Sequence, residues 1–171
     1  MIALTPPKTS AERRFLDFLE GQRGTLYKVA YIYCRDAEER RDLLQDMVVQ
    51  LWRSFDGFDG RAAPATWTWR VAVNVAISHR RRHGRRIKDA LPLDLAFDVA
   101  DQSFAGDSDA SRRLRALVDT LDEMNRALVL LHFEGFDHAE IAGLLGTTAG
   151  AVATRFNRIK TKLREQLANE E

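Results

Sequence analysis

Apolar positions along this chain recur with a helical period. FLDFL, TLYKVAYIYC and LLQDMVVQLW, within residues 11 to 52, place hydrophobic side chains at i, i+3 and i+4, the stripe by which a helix covers a core. No stretch alternates with period two, so strands are not expected. RSFDGFDGRAAPA, residues 53 to 65, breaks the pattern with two Asp-Gly pairs and Pro64, and predicts a loop. A further helix follows it, with Thr66 predicted as its N-cap and Gly84 as its end. Residues 1 to 10 read as a loose tail because Pro6 and Pro7 block helix. Residues 89 to 110 carry Pro92, Gly106 and many aspartates without a sustained period, and predict a linker. Helical text resumes at Ser111. The expected fold class is all-α, with two small helical domains over 11–88 and 111–171 joined by a flexible acidic linker.

Charge changes this picture through its distribution. The net charge of the 171 residues is only +1, yet the cations are segregated. Arg80, Arg81, Arg82, Arg85, Arg86 and Lys88 fall in one acid-free stretch, and Arg155, Arg158, Lys160, Lys162 and Arg164 in another. Between them lie Asp89, Asp94, Asp98, Asp101, Asp107 and Asp109. Concentrated cations are what phosphate binding requires, whatever the average.

Cys34 is the only cysteine, so an intrachain disulfide is excluded, and its apolar setting predicts a buried small hydrophobe. No export signal is visible, nor an apolar run approaching the ~18 residues of a membrane span, so a soluble, cytoplasmic chain is expected.

The most specific pattern is DHAEIAGLLGTTAGAVATRFNRIKTKL, residues 137 to 163. Asp137 and Glu140 have capping-box spacing, Gly146 suits a left-handed helix end, and Thr148 can cap a second helix. With Ala142 and Val152 these are the offsets of a helix-turn-helix. Val152, Phe156, Ile159 and Leu163 form the core stripe of the second helix. Ala151, Thr154, Arg155 and Arg158 form its reading side, with arginines for guanine edges or phosphates and small residues permitting close approach. An ordinary helical hairpin with a cationic face is the competing reading.

TWTWRVAVNVAISHRRRHGRR, residues 66 to 86, is apolar nearly all round except for one stripe. Trp67, Arg70, Asn74, Ser78 and Arg81 share that stripe, while Trp69, Val73 and Ile77 share another face. An aromatic ring beside arginine and asparagine suits unstacked bases, and the trailing arginines, Arg80 among them, suit phosphate. Trp67 as a core residue is the alternative, and the sequence leaves the two open.

Upstream, Asp42, Gln45, Asp46 and Gln50 form the polar side of an amphipathic helix. In order, DLLQDMVVQLWRSFDGF, ATWTWRVAVNVAISHRRR and EIAGLLGTTAGAVATRFNRIKTKL resemble the bacterial sigma factor family, in its small extracytoplasmic-function (ECF) group, over about residues 12 to 165. The resemblance implies a non-enzymatic subunit of transcription initiation without cofactors. Core RNA polymerase, promoter DNA and an anti-sigma protein are its implied partners. Polymerase binding falls to Asp42, Gln45, Asp46 and Trp52. Minus-ten recognition and strand opening fall to Trp67, Arg70, Asn74, Ser78, Arg80 and Arg81. Minus-thirty-five recognition falls to Thr148, Ala151, Thr154, Arg155 and Arg158. Met124-Asn125-Arg126 departs from the family's frequent Leu-Pro before arginine, and Ala153 stands where lysine is frequent.

Two other classes remain. A conventional helix-turn-helix regulator would bind alone as a dimer, but does not require the aromatic and basic element at 66 to 86. A metal enzyme is suggested by His79 and His83 at i, i+4, with His132 and His138 elsewhere. Those first two histidines have arginines around them and no carboxylate or cysteine nearby in sequence, so no metal site is expected.

Overall fold

A computed structural model describes residues 9–81 and 115–168. The chain divides into two compact units, Met1–Gln102 and Ser103–Glu171. The described residues are helical, with no strand among them.

The first unit is a bundle of three helices, α1 (Ser10–Tyr33), α2 (Ala37–Ser54) and α3 (Pro64–Arg81), with a 3-10 turn at Phe55–Gly57. Helix α1 starts where Thr9 and Glu12 cap each other, with bonds of 3.1 and 3.2 Å that satisfy two amides a helix start leaves open. It ends at Cys34, whose N–H donates to the Ala30 carbonyl at 2.9 Å. The Asp36 carboxylate caps α2 by accepting from the amides of Glu38 and Glu39 at 2.8 and 3.0 Å. Those amides hold its carboxyl below the usual aspartate range.

Phe15, Leu19, Leu26 and Val29 of α1 meet Leu43, Leu44, Met47, Val48 and Leu51 of α2 and Trp69, Ala72, Val73, Ala76 and Ile77 of α3, all buried. Burying each large aliphatic side chain contributes about 1.5–3 kcal/mol against the entropy of ordering the chain.

Two expectations are corrected. Helix α3 begins at Pro64, so Thr66 lies inside it and is not its N-cap. Proline at the first helical position loses nothing, because its missing N–H has no partner there. The first amide bond runs from Trp67 to Ala63 at 3.0 Å. The loop is also shorter than 53–65: α2 continues through Ser54 and the 3-10 turn follows, which leaves residues 58–63 irregular. Within them Gly60 takes φ +75° and Asp59 accepts from the Arg61 amide at 3.0 Å. Gly84 lies outside the described residues, as does the linker 89–110.

The second unit contains a helical turn at 115–119, then α4 (Glu123–Phe133), α5 (His138–Leu145) and α6 (Ala149–Ala168). Asp122 caps α4 by accepting from the Asn125 amide at 2.8 Å. Asp137 and Glu140 form the capping box of α5, with both bonds 2.8 Å. Gly146 ends α5 at φ 67°, ψ 39°. The Thr148 hydroxyl oxygen caps α6, accepting from the Ala151 amide at 3.2 Å. Ile141, Ala142 and Leu144 of α5 and Val152, Phe156 and Ile159 of α6 are buried with Leu128 and Leu131 of α4, while Leu163 is half-buried. The helix-turn-helix and its core stripe follow the sequence pattern.

Arg126 is 3% exposed. Its guanidinium donates to the carbonyls of Asp119 and Leu121, both at 3.3 Å, and lies 3.9 Å from the Asp119 carboxylate. This arginine closes the end of the 115–119 turn and does not face solvent.

Candidate nucleic-acid interfaces

The polar stripe of α3 is backed by a rigid apolar face. Trp69, Val73 and Ile77 are buried, which turns Arg70 and Asn74 outward and leaves Ser78 half-buried. The Asn74 side-chain amide donates to the Arg70 carbonyl at 2.8 Å, which orients its oxygen away from the helix backbone. The Arg80 and Arg81 side chains lie outside the described residues.

Trp67 belongs to a run of rings. Its centroid lies 4.9 Å from Phe58 and 5.5 Å from Phe18. Phe18 also meets Phe55 at 5.3 Å, Phe55 meets Phe15 at 5.2 Å, and Phe15 meets Trp52 at 5.0 Å. Most of these contacts are tilted or edge-to-face, the geometries aromatic quadrupoles favour. The run ties α1, the end of α2, the loop and the start of α3 together. Sequence reasoning missed it, although the i, i+3 pairs Phe15/Phe18 and Phe55/Phe58 were its available signal. Trp67 is half-buried in this cluster, and Trp52 is half-buried against Phe15.

On α2, Asp42 and Gln45 are exposed. Asp46 is tied down, since its carboxylate oxygen lies 2.9 Å from His79 Nδ1 of α3. That hydrogen bond is the main cause of a raised His79 pKa; the charges of Asp46, Glu39 and Asp42 add to it and burial opposes it. The four α2 residues therefore divide into two on the open face and two engaged within the bundle.

His79, which has no carboxylate or cysteine nearby in sequence, gains both in space. Donor atoms of Cys34, Glu39 and His79 all lie within 4.8 Å of one another. The tertiary fold assembles what the sequence separates. His83 lies outside the described residues.

In the second unit Thr148, Thr154, Arg155 and Arg158 are exposed along α6, with Ala151 half-buried beside them. The Thr154 hydroxyl donates to the Gly150 carbonyl at 2.9 Å, so it offers its oxygen as an acceptor. Arg155 Nη1 lies 3.5 Å from the Asn125 side-chain oxygen of α4. Lys162 donates to the Thr120 carbonyl at 2.9 Å, so this cation is committed to the unit's own frame. Behind the basic face, Phe156 packs on His132 and His138 at 4.6 and 5.5 Å.

Residues 10–86 match the family model described as Sigma-70 region 2, and residues 111–163 the one described as Sigma-70, region 4. The chain is 31% identical over 151 residues to the ECF RNA polymerase sigma factor SigE of Mycolicibacterium smegmatis, covering 84% of this chain and 57% of that protein. It thus spans little more than half of that relative's length. It is 30% identical over 138 residues to the ECF RNA polymerase sigma factor SigM of Mycobacterium tuberculosis, covering 81% of this chain and 69% of that one. The fold is similar to that of the sigma factor RpoE from Bartonella quintana in complex with the anti-sigma factor NepR, at TM-score 0.68 and 21% identity, covering 93% of this chain and 99% of that one. Two family regions in order, each on its own helical unit, identify the chain as a member of the sigma-70 family, in its ECF group.

Proposed function

We propose that this chain acts in the cytoplasm as a non-catalytic initiation subunit, which binds core RNA polymerase, recognises promoter DNA and holds the melted strand open. The observation that carries this reading is a pair of outward faces, the polar one of Arg70 and Asn74 on α3 and the basic one of Arg155 and Arg158 on α6. Each faces outward from a buried core, in separate units.

In the domain spanning 11–88, the open face of α2 offers Asp42 and Gln45 to the polymerase clamp, with Asp46 and Trp52 holding that face in register. Arg70, Asn74 and Ser78 meet extruded minus-ten bases, and Arg80 and Arg81 hold the phosphates beside them. Trp67 presents one part of its ring to that strand and braces Phe58 with the rest. The linker 89–110 connects this domain to the one at 111–171. There Arg155 reads a base edge of the minus-thirty-five element, Thr154 and Ala151 allow close approach, and Thr148 and Arg158 flank it at the phosphates.

Units this small are marginal alone, which favours a protein partner in the resting state. An anti-sigma protein covering the α2 face or holding the units together fits that need, and RpoE of Bartonella quintana is solved with such a partner.

Run-off transcription with purified core polymerase of the same organism, over a library of its promoters, tests the reading. Initiation from a defined subset that depends on the chain is the expected result. Tight sequence-specific DNA binding by the chain alone, with no programming of polymerase, would instead establish a conventional regulator.

A further inference from the structure

The end of the first bundle, where α1 stops, α2 starts and α3 nears its last turn, gathers a second kind of chemistry. Cys34 is the C-cap of α1, Glu39 lies in the first turn of α2, and His79 stands two residues before the end of α3. Cys34 is 1% exposed and Glu39 is half-buried, while the His79 side chain keeps 16% of its surface accessible. One thiol, one carboxylate and one imidazole, each from a different helix, bring donor atoms within 4.8 Å of one another.

A second observation bears on the imidazole. His79 Nδ1 is engaged by the Asp46 carboxylate at 2.9 Å, which leaves Nε2 as the nitrogen able to coordinate. Histidine ligands are held this way at metal centres, where a carboxylate on the far nitrogen fixes the tautomer and raises the basicity of the other.

We propose that Cys34, Glu39 and His79 form a binding site for a divalent transition-metal ion of zinc's class, with Asp46 as a positioning residue. The donor set decides the class. Sulfur and nitrogen suit zinc, cobalt or nickel, and exclude calcium and magnesium, which take oxygen ligands. Bond lengths around tetrahedral zinc imply donor separations of about 3.3–3.6 Å, and donor atoms of the three residues already lie within 4.8 Å of one another. Binding takes the Cys34 thiolate and the neutral imidazole, and the displaced protons leave to solvent. The thiolate and the Glu39 carboxylate neutralise the ion's two charges, while the Asp46 carboxylate stays on the His79 Nδ1. A fourth coordination position is filled by water.

The ion would join all three helices of the bundle at the end from which the basic segment departs. This site does not depend on the initiation reading, because its measurement needs neither polymerase nor DNA.

The test uses the full chain, stripped by a chelator and then given zinc chloride or cobalt chloride alone. The expected result is one zinc ion retained per chain through gel filtration, a raised melting temperature, and a thiolate-to-cobalt charge-transfer band. Cys34→Ser should abolish the band, and His79→Gln and Glu39→Gln should each weaken zinc binding. Asp46→Asn should keep the band and weaken zinc binding roughly 10–100-fold. Failure of the wild-type chain to retain zinc or show the band overturns the proposal without reference to any variant. Zinc binding by a folded Cys34→Ser chain as tight as wild type overturns it as well.

Discussion

Phe58 in the loop and Trp67 on α3 lie with ring centroids 4.9 Å apart and planes inclined by 32°. The contact couples a loop to a helix across the irregular residues 59–63. Removing the Phe58 ring should cost about 0.5–1.5 kcal/mol beyond its buried area. In the proposed mechanism it should also slow strand opening, while binding to the upstream element stays unchanged. Urea unfolding and a fluorescent-base opening assay measure the two effects separately. Equal loss in binding and opening would make the ring purely a fold element.

His79 and Asp46 predict a pH dependence in the chelator-treated protein. The folded histidine pKa lies above its unfolded value, chiefly through the hydrogen bond to Asp46, with Glu39 and Asp42 also adding negative charge nearby. Folding therefore favours the protonated ring. That stabilisation is fully present below the ordinary histidine value of about 6.5 and is lost as pH rises through the higher folded pKa. Thermal melts across this window should show wild type losing stability relative to Asp46→Asn, whose curve should be flatter.

Gly146 should resist replacement because of its backbone conformation alone. At φ 67° it is left-handed, and nothing lies within 4 Å of where a Cβ would stand. Gly146→Ala should destabilise the chain by about 1–2 kcal/mol, and Gly146→Asn by less, since asparagine tolerates this region better. Denaturant midpoints for the two variants rank them directly.

Arg155 and Arg158 should fail differently. Arg155→Ala should cost about 1–3 kcal/mol on the preferred promoter and relax discrimination at one upstream position. Arg158→Ala should weaken binding evenly across sequences and reduce the salt slope by about 1. Asn125→Ala, which removes the oxygen 3.5 Å from Arg155, should alter discrimination and leave that slope intact. Titrations of a promoter panel at several salt concentrations resolve all three.

Much of this was legible where the physics is local. The Asp137/Glu140 box, the Gly146 turn, the Thr148 cap and the Val152/Phe156/Ile159 stripe are decided within one or two helical turns. At the start of α3, a threonine before an apolar run and a proline two residues earlier are competing start signals, and Pro64 prevails. The pairing of Asp46 with His79, and Cys34 and Glu39 beside that ring, depend on how three helices cross. No periodicity carries that information. Arg126 likewise reads as one more basic residue until its guanidinium is found between two carbonyls.

The irregular segment is fixed at one end by Phe58 among the rings and at the other by Pro64 in the first turn of α3. Between these anchors Asp59, Gly60, Arg61 and Ala63 are exposed and Ala62 half-buried. Substitutions within that span remove almost nothing from the core, and Gly60, held at φ +75°, is the one position there whose backbone resists replacement. A lineage can therefore vary Asp59, Arg61, Ala62 and Ala63 while inheriting the scaffold unchanged.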